Sequence, residues 1–369
     1  MKIDFIKPDL RTLDLYRMIR SIKSGWLVAG AETLKFEQKF SGMYEKDKCI
    51  VVTSSCTSGL EIALILAKVE QGDEVITTPM SWVGSANAIL TRGATPVFCD
   101  IDEFDYIPNV SEIEKLITKK TKAILIVNLY GQMADVVGLR KLSERYGIPI
   151  IEDSAHALES KRDGFRSGEL TFAASFSFHA AKNITSGQGG ALCIQQELGE
   201  IAKILRRDGV KNNSFGEREM QMLGGKFDLA DFQSALLLGQ FDRIKRNLTR
   251  RQELWENYSV FFKKLGLRFP QIRPNSEHAA HQFVVEVPSI SRRDIREELG
   301  RVGIATSIHY NPIHLEPYYS KRFGYQSGSF PVAEQIGKSL ISLPTYPLLR
   351  KKELNYIFKN FLNVLKLGR

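Results

Sequence analysis

Between residues 48 and 205, short apolar and β-branched runs alternate with amphipathic stretches. The runs at 50–53, 74–77, 96–99, 123–127, 148–151, 172–178 and 191–194 read as strands. Segments 60–68, 83–91, 110–117 and 136–146 carry the spacing of helices that bury one face. Near-continuous apolar strands separated by helices of this length predict a parallel sheet with both faces covered. Gly72-Asp73, Gly93 and Gly147-Ile148-Pro149 mark the joins. Ligands of such sheets gather beyond the carboxyl ends of the strands.

Past Arg207 the pattern changes. Residues 208–226 are rich in glycine and polar side chains and predict a loop, and 229–265 predict one or two long helices. Strands are expected at 281–287 and 304–310, and helices at 292–302 and 352–367. The chain therefore divides into a large domain over 1–245 and a smaller α+β domain over 246–369. A length of 369 residues suits two domains of these sizes.

Composition narrows the function classes. With 43% hydrophobic and 25% charged residues the chain is an ordinary globular one. No apolar run approaches the roughly 20 residues that span a bilayer, so no membrane insertion is expected. The first 20 residues lack the continuous apolar core of a signal peptide, which makes the cytoplasm the expected location. Cys49, Cys56, Cys99 and Cys193 form no CxxC pair, and neither a disulfide framework nor a metal site is expected. The net charge of +9 comes in short clusters among plentiful acids. That pattern argues against a nucleic-acid face and for a solvated surface plus a pocket for an anionic substrate.

Four local patterns carry candidate chemistry. The strand at Ile150-Ile151-Glu152 ends in Asp153, where a parallel sheet exposes its site; a helix cap or surface acid reads equally well. Lys182 follows an apolar lead-in with little charge from 168 to 181 and precedes Gly187-Gln188-Gly189-Gly190. An apolar setting disfavours its ammonium form and frees the amine as a nucleophile. Thr53-Ser54-Ser55-Cys56-Thr57-Ser58 runs from strand to helix, giving either a plain N-cap or an anion site on the first helical turn. Trp82 closes another strand, as packing or as a plate for a flat ligand. Together, a phosphate cup, an aromatic plate, a carboxylate and a buried lysine are what pyridoxal 5'-phosphate (PLP) requires.

On these residues the sequence resembles the DegT/DnrJ/EryC1/StrS sugar aminotransferases. The resemblance runs from Ser24-Gly25-Trp26 to the final helix, through 72–76, 93–98 and 121–124. It is most specific over Phe176-Ser177-Phe178-His179-Ala180-Ala181-Lys182-Asn183-Ile184-Thr185, which is similar to the family's Schiff-base segment. The resemblance implies a fold-type I PLP-dependent transferase, similar to aspartate aminotransferase, with a large parallel-sheet domain and a smaller α+β C-terminal domain. It implies Lys182 as the Schiff-base lysine, Asp153 as partner of the pyridinium nitrogen, and Trp82 stacked on the ring. Cys56, Thr57 and Ser177 would hold the phosphate and His156 would lie near the ring hydroxyl. Trp26, Val28, His309 and Tyr310 are the implied substrate contacts.

Departures from the family pattern are Cys56 for a frequent glycine, Lys226 for an asparagine that reaches the neighbouring subunit's phosphate, and Asp228 for a common arginine. A lysine can serve that phosphate as a point charge. The implied activity is transfer of an amino group from glutamate to a nucleotide-linked 4-keto sugar, a UDP-sugar by its similarity to one subgroup. The implied assembly is a homodimer with a composite site. A 3-keto-sugar or cyclitol aminotransferase and a non-catalytic PLP-binding regulator are the alternatives. Gly187-Gln188-Gly189-Gly190 is not a GxGxxG at a strand-to-helix turn, which leaves a Rossmann dehydrogenase poorly supported.

Overall fold

A computed structural model describes residues 1–44, 47–288 and 292–367. Its centre is a seven-stranded sheet. Across it lie Lys48–Thr53, Gly190–Gln195, Ala173–Ser177, Ile150–Asp153, Thr121–Val127, Glu74–Thr77 and Thr95–Phe98, in that order. The five strands from Ala173–Ser177 to Thr95–Phe98 pair in parallel. Their apolar side chains are almost wholly buried, as expected of strands covered on both faces.

The sheet is parallel for the most part, as expected, with one strand reversed. Gly190–Gln195 runs antiparallel to both of its neighbours. It follows Ala173–Ser177 through residues 178–189 without the crossover helix that a parallel return needs, so the chain turns back beside the strand it has just left. Lys182 lies in that return. Gly190 admits a close approach, because a Cβ there would sit 2.4 Å from the Ser55 carbonyl carbon. The start of the helix Cys56–Leu66 thereby packs directly against the sheet.

The predicted loop 208–226 contains a small hairpin, Val210–Asn212 with Arg218–Met220. The long helical region resolves into Asp231–Asp242 and Ile244–Lys264. Segment 304–310 is not the expected strand. It makes only isolated bridges, Ile3 with Ile304 and Ser307 with Ser342, because no neighbour offers it a continuous ladder. Leu340–Leu343 instead pairs with Phe283–Glu286. A separate apolar cluster, including Tyr258, Phe262, Phe283, Ile341 and Phe361, joins these strands to the helices Ile244–Lys264 and Lys351–Leu367. Ile3 belongs to the same cluster, so the N-terminal segment is pinned there before it crosses towards the sheet.

Candidate active site

At the carboxyl ends of the parallel strands lies a pocket of about 610 Å³, within the usual size of ligand sites (about 300–1,000 Å³). Much of its wall follows the strand ends. Ser55 caps the helix Cys56–Leu66, its hydroxyl accepting from the Ser58 N–H at 3.0 Å. The plain N-cap is thus correct for Ser55, yet the first-turn N–H groups of Cys56 and Thr57 remain without an intrahelical acceptor. Both residues line the pocket. Ser177 lines it from the opposite strand end, and Trp82 stands beside it with 64% of its surface exposed.

Asp153 is buried at the end of Ile150–Asp153 and faces the same pocket. Its Oδ2 accepts from the Ser85 hydroxyl at 2.6 Å. Its Oδ1 accepts from the Ala155 N–H at 3.1 Å and lies 3.5 Å from the Cys56 thiol. The adjoining Glu152 is anchored on the other side of the strand by Gly168 N–H and by the hydroxyls of Ser167 and Thr171. That fixes the strand end and with it the direction of Asp153.

Lys182 enters the pocket from the 178–189 return. Burial pulls its pKa down to about 8, and the nearby Asp153 and Cys56 oppose part of that shift. The uncharged amine that a nucleophile requires is therefore more available near neutral pH than in an exposed lysine.

His156 and Tyr310 form the far wall. The His156 Nδ1 accepts from the Tyr130 N–H at 3.2 Å. Burial, reinforced by Lys182 and His309, holds His156 well below its usual pKa, so the ring is neutral and its proton lies on Nε2. That Nε2–H faces the Tyr310 hydroxyl oxygen at 3.2 Å, which leaves the Tyr310 O–H free to donate into the pocket. His309 lines the pocket beside it, stacked on Phe5 with ring centroids 5.6 Å apart.

The structure brings nine of the predicted site residues into one pocket: Cys56, Thr57, Trp82, Asp153, His156, Ser177, Lys182, His309 and Tyr310 all line it. Trp26, Val28 and Lys226 do not. Trp26 is exposed and donates to the Ala29 carbonyl. Val28 and Lys226 line a separate basic groove of about 700 Å³, with Lys203, Arg206, Lys211 and Arg218. The Lys226 ammonium lies 3.0 Å from Asp228. Sequence reasoning missed Ser85, Gln282, Phe5 and Ile6, all of which line the pocket. Ser85 had a faint signal, a hydroxyl three residues after Trp82 at a helix start; the others come from distant segments and had none.

The donor set fits a flat, phosphorylated pyridine aldehyde. First-turn helix N–H groups suit the phosphate, a buried carboxylate suits a ring N–H, and a lysine with a lowered pKa suits an aldehyde. Fold and pocket together define a PLP-dependent aminotransferase of fold type I.

The comparisons agree. The family model for the DegT/DnrJ/EryC1/StrS aminotransferase family matches residues 8–362, and the chain belongs to that family. It is 32% identical over 368 residues to the spore coat polysaccharide biosynthesis protein SpsC of Bacillus subtilis, covering 96% of this chain and 94% of SpsC. Spr1654 of Streptococcus pneumoniae in its PMP form superposes with a TM-score of 0.93 at 29% identity, over 99% of each chain. PseC of Helicobacter pylori, an aminotransferase involved in the biosynthesis of pseudoaminic acid, gives 0.92 at 30% identity, over 99% of this chain and all of PseC. The protein is a PLP-dependent sugar aminotransferase. Among the described residues no helix is long and apolar enough to cross a membrane.

Proposed function

We propose that the enzyme moves an amino group from glutamate to a nucleotide-linked 4-keto sugar, with a UDP-sugar favoured, in the biosynthesis of amino sugars for a cell-surface polysaccharide. The observation that carries this reading is Lys182 and Asp153 in one pocket, with the amine partly neutral and the carboxylate fixed by Ser85. When bound, PLP supplies the electron sink that lets nitrogen leave one carbon and join another.

The chain's own residues do the rest. Lys182 would hold the aldehyde and carry protons at its Nζ. Asp153 would keep a proton on the ring nitrogen. Cys56, Thr57 and Ser177 would hold the phosphate, Trp82 would cover the ring, and His156 would lie near the ring hydroxyl. Tyr310, whose O–H is turned to the pocket by His156, and His309 contact the sugar. In this reading residues 1–245 and 246–369 are the two domains, supported by the apolar cluster around Tyr258 and Phe361, which apart from Ile3 draws only on the second of them. The cytoplasm is the proposed location, where glutamate and nucleotide sugars are available.

A homodimer completes the site. Leu13, Tyr16, Ile19, Trp26, Leu27 and Val28 leave apolar surface exposed that a second copy would cover. Lys226, exposed and lying outside its own chain's pocket, then reaches the neighbour's phosphate, and Trp26 and Val28 reach its substrate. The basic groove beside them suits a diphosphate.

The test is a panel of nucleotide-linked keto sugars incubated with PLP and ¹⁵N-glutamate, read by product mass and by NMR. The expected product carries ¹⁵N at C4 of a UDP-linked sugar. Amination at C3, or of a cyclitol, replaces the 4-keto assignment. Tight cofactor binding with no amination of any substrate contradicts an enzymatic role.

A further inference from the structure

Lys182 and Gln282 also line a second, much smaller recess of about 20 Å³, together with Arg251, His281 and Lys7. Three of these side chains are buried and each carries a polar atom without a partner among the described residues: Arg251 Nε, His281 Nε2 and Gln282 Oε1. Dry, unsatisfied groups of this kind are strongly unfavourable, and three around one recess call for a common ligand.

The hydrogen-bond network fixes what each atom offers. The Asn183 amide donates from Nδ2 to the Glu159 carboxylate at 2.9 Å and to the Ala279 carbonyl at 3.0 Å. Its Oδ1 is therefore the atom facing His281 Nδ1 at 3.0 Å, and that ring nitrogen must carry the proton. Burial keeps the His281 ring neutral, so Nε2 is a bare acceptor. The Gln282 Nε2 faces His309 Nε2 at 3.4 Å, which leaves Oε1 as a second acceptor. Arg251 uses Nη1 on the carbonyls of His281 and Thr345 and keeps Nε–H as a donor.

Two acceptors and one donor exclude simple ions: an anion would meet two lone pairs, and a cation would meet the Arg251 guanidinium. The set matches water, which needs about 10–15 Å³ and two to four polar partners. We propose that this recess is a binding site for a single water molecule, which donates to His281 Nε2 and Gln282 Oε1 and accepts from Arg251 Nε. Its remaining lone pair is available to the Lys182 amine. The lysine thereby has a proton-exchange partner outside the substrate pocket, and Gln282 links that partner to His309. The inference does not depend on which sugar or amino donor the enzyme uses.

The test is a crystal structure of the full chain with its cofactor, at a resolution that places waters, with ¹⁵N-histidine NMR of the same protein. An oxygen about 2.7–3.2 Å from all three atoms is expected, with His281 protonated on Nδ1 and bare on Nε2. His281→Phe assigns the NMR signal and should lose the oxygen; if that variant does not fold, Gln282→Leu should displace it. A recess without an oxygen, an oxygen out of reach of His281 Nε2, a proton on Nε2, or an oxygen unmoved in the variants overturns the proposal.

Discussion

The Ser85 hydroxyl donates to Asp153 Oδ2 at 2.6 Å, joining a helix that begins at Gly84 to the end of the strand Ile150–Asp153. The bond leaves Oδ1 facing the Ala155 N–H and the Cys56 thiol, so three neighbours hold the direction of Asp153. A hydrogen bond to an ionised group contributes about 1.5–3 kcal/mol. Ser85→Ala should therefore lower kcat/KM by about tenfold or more. Asp153→Asn, which keeps the shape and removes the charge, should lower it by about 10²–10³-fold while cofactor still binds. Steady-state kinetics on both variants check the order; equal losses would show that Ser85 does more than aim Asp153.

Phe5 stacks on His309 and reaches the pocket from the far end of the chain. An aromatic contact of this kind contributes about 0.5–1.5 kcal/mol. Phe5→Ala should raise KM for the sugar by roughly 3–10-fold. The half-reaction with the amino donor alone, followed by absorbance, should stay near the wild-type rate. Equal damage to both half-reactions would place Phe5 in general support of the fold.

These two residues mark the boundary of what the sequence discloses. Asp153 and Lys182 are legible because the first ends an apolar strand and the second follows an apolar lead-in, and both line the pocket. Ser85 is one serine at a helix start and looks like a cap. Phe5 meets His309 from the other end of the chain, a contact that no local pattern encodes. Strand direction is equally silent: Gly190–Gln195 has the apolar run of a parallel strand, and only its short connection reveals the reversal. Residues 304–310 have strand-like alternation but no neighbour for a ladder, so they become pocket wall.

Acid should destabilise the fold before most carboxylates titrate. Burial lowers the pKa of His309 to about 4 and of His278 to about 3, and holds His156 and His281 well below the usual value. Unfolded histidines bind protons below about 6.5, whereas these stay neutral when folded. The unfolded state then binds more protons, so stability falls as pH drops from 6.5 towards 4. Glu159, raised to about 7 by burial, pulls the other way between about 4.5 and 7, but it is one group against four. Urea midpoints between pH 7 and 4.5 should decline, and more gently in His278→Asn. A midpoint that rises on acidification would contradict the neutral histidines.

Lys226 tests the composite site. Its side chain is 73% exposed and, among the described residues, pairs with Asp208 and Asp228. Lys226→Ala should weaken cofactor retention about tenfold, the scale of a charge-assisted contact. Mixed with Lys182→Ala, it should form heterodimers with one intact site and regain activity that neither variant shows alone. Mixed dimers without that gain would confine Lys226 to its own surface.

Borohydride reduction of the enzyme with bound PLP, followed by peptide mass spectrometry, tests the central assignment most directly. Reduction turns a lysine-bound aldehyde into a stable secondary amine at whichever lysine holds it. The modification should fall on Lys182 alone and the visible absorption should vanish with it. Modification at another lysine, or unchanged labelling in Lys182→Ala, would contradict the assignment.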